Sequence, residues 1–246
     1  MKKFNINAFI WMVVLYLYGY LIFDLIRSGD IQLYLHPKML PYVYFAGGVI
    51  LILATYQTTR VFRATHVTKI YKGHILFLIP LLLAFTVSPK GVSIQMAENK
   101  GVYTINSSNL KQPNDYIPPL PDDDSVYEVV NFMAVLTEMY YTPKVYEDKT
   151  VKLTGFYYKE ADYDENAFLI ARMLVSCCAA DAQVAGFRCE WENIGTLEQG
   201  QWYEVEGKVR LDTTYNELFK MDETLATIEV IRAVQVNEPA SPYIFP

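Results

Sequence analysis

The sequence is poor in the residues that carry most nucleophilic and metal chemistry. Its 246 residues include only three cysteines and three histidines. The histidines, His36, His66 and His74, all flank long apolar runs, and none forms a metal-type pair with a cysteine in the sequence. The chain also lacks a Ser-His-Asp order, a P-loop and a Rossmann glycine pattern. Nothing in the sequence indicates an enzyme, and we expect none.

Acidic residues are nearly absent from the first part of the chain. Residues 1–94 hold nine Lys and Arg residues against two acidic residues, a net charge of +7. Residues 95–246 hold 12 Lys and Arg residues against 25 acidic ones, a net charge of −13. So sharp a change beside uncharged runs is typical of a membrane anchor joined to a soluble domain. We therefore predict a transmembrane domain over residues 1–94 and a soluble domain over residues 95–246.

Three apolar runs predict helices near residues 8–25, 41–59 and 70–88. The first is long enough to cross ~30 Å of hydrocarbon. No small-residue cleavage site follows it, which favours a retained helix over a signal peptide. The third is ambiguous, because its apolar centre at residues 75–87 is short and contains Pro80. Two spans and three spans therefore both remain open.

The charge around these runs predicts the side of the membrane. Residues 60–72 hold four cations and no acid, and cytoplasmic loops carry the Lys and Arg excess. The N-terminus is then cytoplasmic too. With three spans, which this reading favours, residues 95–246 lie outside the cytoplasm, and with two spans they lie inside it.

The soluble half begins with a helix signal. Ser125 and Glu128 have the spacing of a capping box, which predicts a helix from there to Tyr141, ended by Pro143. The acidic triplet 122–124 lacks the spaced ligands of a calcium loop. Placed just before a helix, its acids would instead oppose the positive end of the helix dipole.

Beyond Tyr146 the pattern changes to short β-rich runs, and Gly155 and Gly207 inside them suggest bulges or sharp bends. The predicted fold class is α+β: N-terminal transmembrane helices followed by a five-stranded, partly open OB-like barrel with one packed helix. A β-sandwich fragment is the alternative. A domain of charge −13 lacks the basic surface that phosphate binding needs, so no nucleic-acid partner is expected. The predicted strands are 150–159, 167–178, 183–191, 202–211 and 225–236, with a long excursion over residues 212–224.

The cysteines form the most distinctive local pattern. Cys177 and Cys178 are adjacent, Asp181 follows three residues later, and Cys189 comes 11 residues after Cys178. Thiolates bind borderline metals such as zinc, and Asp181 could add an oxygen ligand. Neighbouring side chains of a regular strand face opposite ways, so both thiols could meet one ion only if the strand ends there. Core packing of the thiols and a disulfide from Cys189 remain alternatives.

The predicted metal ligands are accordingly Cys177, Cys178 and Asp181, with Cys189 and His36 as weaker candidates. His36 lies beside Pro37 at the start of the second apolar run, where a solvated interfacial histidine is the plainer interpretation. No catalytic or cofactor-binding residue is predicted. Zinc is the one candidate cofactor.

Three segments together resemble a known family. Residues 177–182, Cys-Cys-Ala-Ala-Asp-Ala, are similar to the Cys-Cys-x-Ala-Asp-Ala signature of the YcgQ-like bacterial membrane proteins. The His-Pro-Lys-Met segment at 36–39 and the Pro-x-x-Pro-Tyr pattern within 237–244 resemble the same family. The likeness covers nearly the whole chain. It implies an accessory subunit of a two-component membrane permease complex, beside a larger multi-span permease, and some members are associated with zinc homeostasis.

The expected protein is therefore a multi-pass protein of the bacterial plasma or inner membrane. Its partners would be the lipid bilayer and a multi-span permease subunit, and its extracytoplasmic domain would bind or gate substrate, with a metal ion as one candidate. One alternative is a membrane-tethered thiol or metal-relay protein acting without a permease. Another is an oligosaccharide-binding module, which would need exposed aromatic side chains such as Tyr157, Trp191 and Trp202.

Overall fold

The computed structural model of the chain describes residues 4–62, 71, 73–87, 120–121, 125–160, 163–216, 221–239 and 241–246. Three cations of the basic segment (Arg63, Lys69 and Lys72) and the acidic triplet 122–124 lie outside these residues. The chain forms two compact units. The first comprises Met1–Gly91 and Cys177–Ala179, and the second comprises Val92–Ser176 and Ala180–Pro246.

The first unit contains three apolar helices: α1 (Ile6–Ser28), α2 (Leu40–Val61) and α3 (His74–Thr86). The side chain of Asn5 caps α1 by accepting a hydrogen bond from the Ala8 N–H at 3.1 Å. Gly29, at φ 84°, ends α1 in the left-handed conformation that glycine adopts easily. The two long helices predicted from the sequence are thus confirmed, each slightly longer than its apolar run.

Two segments of the first unit are long and apolar enough to cross a membrane, as judged by length and composition. They are Ile6–Ser28, with 23 residues, and Pro37–Val61, with 25 residues. The third helix has 13 residues, which span about 20 Å at 1.5 Å per residue. That length is shorter than the ~30 Å hydrocarbon core.

Packing contacts set the helix directions within the first unit. The Asn5 N–H donates to the Val61 carbonyl at 2.9 Å, so α2 runs antiparallel to α1. The ring of Trp11 meets the ring of His74 at 5.0 Å, and nine residues later Tyr20 stacks on Phe85. The helix α3 therefore runs in the same direction as α1.

The helix of the second unit begins later than the capping box predicted. Helix α4 covers Phe132–Tyr141, and Asn131 caps it by accepting a hydrogen bond from the Ala134 N–H at 3.1 Å. The predicted start at Ser125 is wrong, because Tyr127–Glu128 forms a short strand, β1, that pairs in parallel with Val151 and Lys152. The triplet 122–124 consequently precedes a strand, and its suggested role at the helix dipole is withdrawn.

The second unit is a closed five-stranded barrel with OB-like topology. Around the barrel the order is β2-β5-β6-β4-β3, and pairing of β2 with β3 closes the ring. Among the described residues of the ring, only β4 and β6 pair in parallel. The predicted OB-like α+β fold is confirmed, with a closed barrel in place of a partly open one, and closure rules out the β-sandwich fragment. The strands are β2 (Thr150–Tyr158), β3 (Ala167–Leu174), β4 (Gln183–Glu190), β5 (Trp202–Asn216) and β6 (Met221–Gln235), with β7 (Tyr243–Ile244) pairing in parallel with β3.

Two strand boundaries differ from the sequence prediction. Strand β3 ends at Leu174 and does not reach Cys178. The expected excursion over residues 212–224 is instead a continuation of the β5–β6 hairpin, paired from Asp212↔Leu225 to Asn216↔Met221. Its sequence is largely polar and lacks the alternation that marks one buried face, so backbone pairing there left no sequence signal.

Helix α4 packs against the barrel and contributes side chains to its core. Its residues Phe132, Val135 and Leu136 belong to the same buried cluster as barrel residues such as Ile170. The ring of Phe132 meets that of Phe187 edge-on at 4.9 Å. The helix thus completes the core of the barrel.

Candidate functional site

The segment that joins β3 to β4 carries the predicted metal ligands. Because β3 ends at Leu174, Cys177 and Cys178 lie in a turn, which continues as a single 3-10 turn over Ala179–Asp181. The alternation of side chains along a strand does not apply there. Both thiols can therefore lie on the same side of the chain.

The three side chains do come together. The two sulfur atoms are 3.8 Å apart, and the ligand atoms of Cys177, Cys178 and Asp181 all lie within 4.8 Å of one another. Two thiolates at Zn–S distances of about 2.3 Å in a tetrahedral site are separated by about 3.8 Å. The spacing of the sulfurs thus fits a tetrahedral zinc ion without rearrangement.

Backbone hydrogen bonds hold this turn in place. The Ser176 N–H donates to Asp181 Oδ1 at 3.0 Å, which orients the carboxylate. Within the first unit, Leu35 and Cys178 form an antiparallel bridge. The His36 N–H donates to the Cys177 carbonyl at 3.0 Å, and the Ala179 N–H donates to the Tyr34 carbonyl at 2.8 Å. The sequence offered no signal for the contacts with residues 34–36, because both partners of each contact are backbone groups.

His36 lies beside this turn, and its ring has another task. Its side chain is buried, and Nδ1 accepts a hydrogen bond from the Lys38 N–H at 2.9 Å. A neutral imidazole whose Nδ1 is an acceptor carries its proton on Nε2, so neither nitrogen offers a lone pair to a metal in this arrangement. His36 caps the turn that precedes α2, and it does not belong to the group of ligand atoms.

Cys189 lies apart from the cluster, in the barrel core. It is fully buried on β4, opposite Phe168 of β3. Burial raises the pKa of its thiol to about 12, so the thiol is neutral at ordinary pH. None of the three cysteines forms a disulfide, so the Cys189 disulfide considered from the sequence is not formed.

The aromatic side chains needed for an oligosaccharide platform are not all exposed. Tyr157 is buried, with 7% of its surface accessible. Trp191 packs against the barrel core, and Trp202 meets Phe156 edge-on at 5.7 Å. The condition for that function fails at Tyr157.

The cluster offers three donor atoms that could hold a soft metal ion. Two thiolates and one carboxylate supply three ligands, whereas a closed structural zinc site has four. Cys177 is exposed, while Cys178 and Asp181 are partly buried. Water or a ligand from another molecule can therefore reach the remaining position.

Both halves of the chain match models of one protein family. Residues 10–103 match the model described as the DUF1980 N-terminal domain, and residues 123–246 match the DUF1980 C-terminal domain. No curated protein matches the chain.

A search of solved structures found a small single-stranded DNA-binding protein from Streptomyces coelicolor. The two are 12% identical, with a TM-score of 0.24, over 36% of this chain and 94% of that one. A likeness this low carries no argument about structure or ligand.

Proposed function

This chain belongs to the DUF1980 family, and we propose that it is a membrane-anchored accessory subunit of a two-component permease whose cluster at Cys177, Cys178 and Asp181 binds a thiophilic divalent cation as substrate. Zinc is the cation that the ligands suit best. The observation that carries the proposal is the 3.8 Å separation of the two sulfurs, with a carboxylate beside them.

An open coordination position is consistent with transfer. An ion held by four protein ligands is retained as a structural element, whereas a three-ligand site can accept a ligand from a partner and release the ion to it. In the proposed complex, the larger permease subunit supplies that ligand. The resemblance of the signature segment to permease-complex subunits supports this partner.

The apolar helices support the membrane anchor. In addition to the two long segments, α3 runs parallel to α1, as a third crossing requires. We propose that the apolar run of the sequence that contains α3 makes this third crossing, which would place the barrel outside the cytoplasm. The cation-rich segment 60–72 then lies inside, as the positive-inside rule favours.

The test is zinc binding to the full-length protein in detergent under reducing conditions. We expect one ion per chain, and the double variant Cys177→Ser, Cys178→Ser is expected to lose it. Asp181→Asn should weaken zinc binding by about tenfold. Mutation of a residue that only orients a metal ligand typically costs about 10–100-fold in metal affinity, and loss of a carboxylate ligand should cost no less. Cys189→Ser is the matched control, because it also removes a thiol but leaves the cluster intact.

Stability separates binding from packing in the same variants. A hydroxyl in the core at Cys189 should lower stability by roughly 1–3 kcal/mol. At the exposed Cys177, the change should stay within about 0.5 kcal/mol. Unchanged zinc binding in the double variant, or destabilisation by Cys177→Ser as large as by Cys189→Ser, would show that the thiols only pack.

The exposed thiol of Cys177 also favours a second candidate, a membrane-tethered thiol or metal relay that acts alone. Co-purification separates the two functions. A stable complex with a multi-span membrane protein supports the permease subunit. Metal transfer by the full-length chain without any such partner supports the relay.

A further inference from the structure

Arg172 is a partly buried cation that has no acidic partner in the described part of the chain. It lies on the same face of β3 as Phe168, Ile170 and Leu174, which belong to the barrel core. Two other arginines of the barrel, Arg188 and Arg210, have carboxylates within 3.1 Å. Partial burial removes some of the water that solvates the guanidinium, and an anionic partner would offset that cost.

The topology explains how the side chain reaches its place. Strand β2 pairs with β3 only through Leu169–Ala171, and β7 pairs with β3 at Met173 and Leu174. Arg172 lies between these two pairings, at the fork where β2 leaves β3. There its Nε–H donates to the Thr154 carbonyl at 2.9 Å, beyond the end of the β2–β3 ladder.

The guanidinium makes a cation–π contact with an aromatic ring, but no carboxylate of the described residues forms an ion pair with it. Its central carbon lies 5.0 Å from the centre of the Phe132 ring. Phe132 is the first residue of α4, and the first turn of that helix contains no acid. Since the N-terminal end of a helix carries partial positive charge, it repels the positively charged guanidinium. Burial lowers the pKa of Arg172.

The contacts that Arg172 makes within the described residues do not use its two terminal nitrogens. The bond to the Thr154 carbonyl uses Nε alone, and the neutral amide of glutamine could donate in its place. The guanidinium lies over the ring of Phe132. Its two terminal nitrogens have no hydrogen-bond partner among the described residues. A guanidinium presents these nitrogens as a fork that matches a carboxylate or phosphate.

We propose that Arg172 is an anion-binding residue, and that the fork between β2, β3 and β7 receives a single oxyanion group, the carboxylate or phosphate of a small ligand. The bound group compensates the guanidinium and its neighbouring helix end. This site is independent of the thiol cluster in residues and in chemistry, because one takes an anion and the other a soft cation.

The test is thermal unfolding of the full-length protein in detergent, titrated with inorganic phosphate or with acetate at constant ionic strength set by chloride. Wild type should show a saturable rise in melting temperature with at least one of the two, since a ligand that binds only the folded state stabilises it. The stronger of the two identifies the oxyanion group. Arg172→Gln keeps a donor for Thr154 and removes the charge, so its Kd should be about tenfold weaker, because charged hydrogen bonds are the stronger ones.

Arg232→Gln is the matched control. It removes an exposed arginine of β6 that makes no ion pair with the described residues, and its anion response should equal that of wild type. Arg172→Lys keeps the charge and should retain part of the response if Arg172→Gln folds poorly. The proposal is overturned if neither anion stabilises wild type beyond chloride, or if the Arg232 variant loses as much of the response as the Arg172 variants.

Discussion

Cys177 and Cys189 show that position decides what one type of side chain does. The sulfur of Cys189 is enclosed by the barrel core, where burial raises its pKa to about 12 and keeps it neutral. Cys177 lies 12 residues earlier, exposed in a turn next to a second thiol and a carboxylate. A metal ion from solvent can reach the sulfur of Cys177, whereas the sulfur of Cys189 is closed off by the core.

Tyr146 provides a pH-dependent test of the core at the level of one residue. It is fully buried, and its hydroxyl donates to the Glu138 carboxylate. Burial, together with this carboxylate, raises the pKa of Tyr146 above its usual 10.0. The folded state therefore keeps the phenol protonated at pH values where the unfolded state releases the proton. The stability from Tyr146 is present below pH 10 and is lost as the pH rises further.

We expect the free energy of unfolding to fall steeply above pH 10 in wild type and less steeply in Tyr146→Phe. At neutral pH the same variant should lose about 1–3 kcal/mol, because the Glu138 carboxylate loses its hydrogen-bond donor. Chemical denaturation at a series of pH values measures both effects. Cys189 also contributes to the alkaline loss, from pH 9 upward, so the comparison is made in a Cys189→Ala background. Equal slopes in the two proteins would contradict the assignment.

Among the elements, those with one buried face could be predicted from the sequence. Strands β2 and β4 end within one residue of their predicted limits, since alternation marks a half-buried strand. The bulge suggested at Gly207 is present: the β5–β6 register shifts there, and a Cβ on Gly207 would lie 2.5 Å from the Glu229 carbonyl. The short strands β1 and β7 were missed, because two-residue pairings leave no periodic pattern.

The candidate site was partly predictable for the same reason. Adjacent thiols and a nearby carboxylate are visible in the sequence, and only the early end of β3 at Leu174 decides that they meet. The backbone bonds that hold the turn, from Tyr34 and His36, come from residues far away in the sequence. The charge of Arg172 was also visible, but its lack of a partner is a property of packing.

The start of α4 gives a prediction at the scale of an element. Asn131→Ala removes the side chain that accepts the Ala134 N–H and should cost about 1 kcal/mol of stability. Ser125→Ala, the residue that the capping-box pattern selected, is the matched control and should have a smaller effect, because it lies outside the helix. Denaturant unfolding of both variants measures the difference. A larger loss at Ser125 would restore the capping box as the helix start.

For the whole molecule, the division of charge makes the side of the membrane testable. The net charge is +7 over residues 1–94 and −13 over residues 95–246. Cytoplasmic flanks of membrane helices carry the positive excess, and three crossings with a cytoplasmic N-terminus then place residue 114 outside. An Asn114→Cys variant should react with a membrane-impermeant maleimide on intact cells. The variant is made in a Cys177→Ser, Cys178→Ser background, which leaves only the buried Cys189.

The matched control is Thr65→Cys in the same background, within the cation-rich segment, and it should react only after lysis. If one crossing separates the two positions, they lie on opposite sides of the membrane. Labelling of one position on intact cells and of the other only after lysis therefore reports the third crossing. Labelling of Asn114→Cys only after lysis, together with Thr65→Cys, would mean two crossings. In that case α3, at 13 residues, does not span the bilayer.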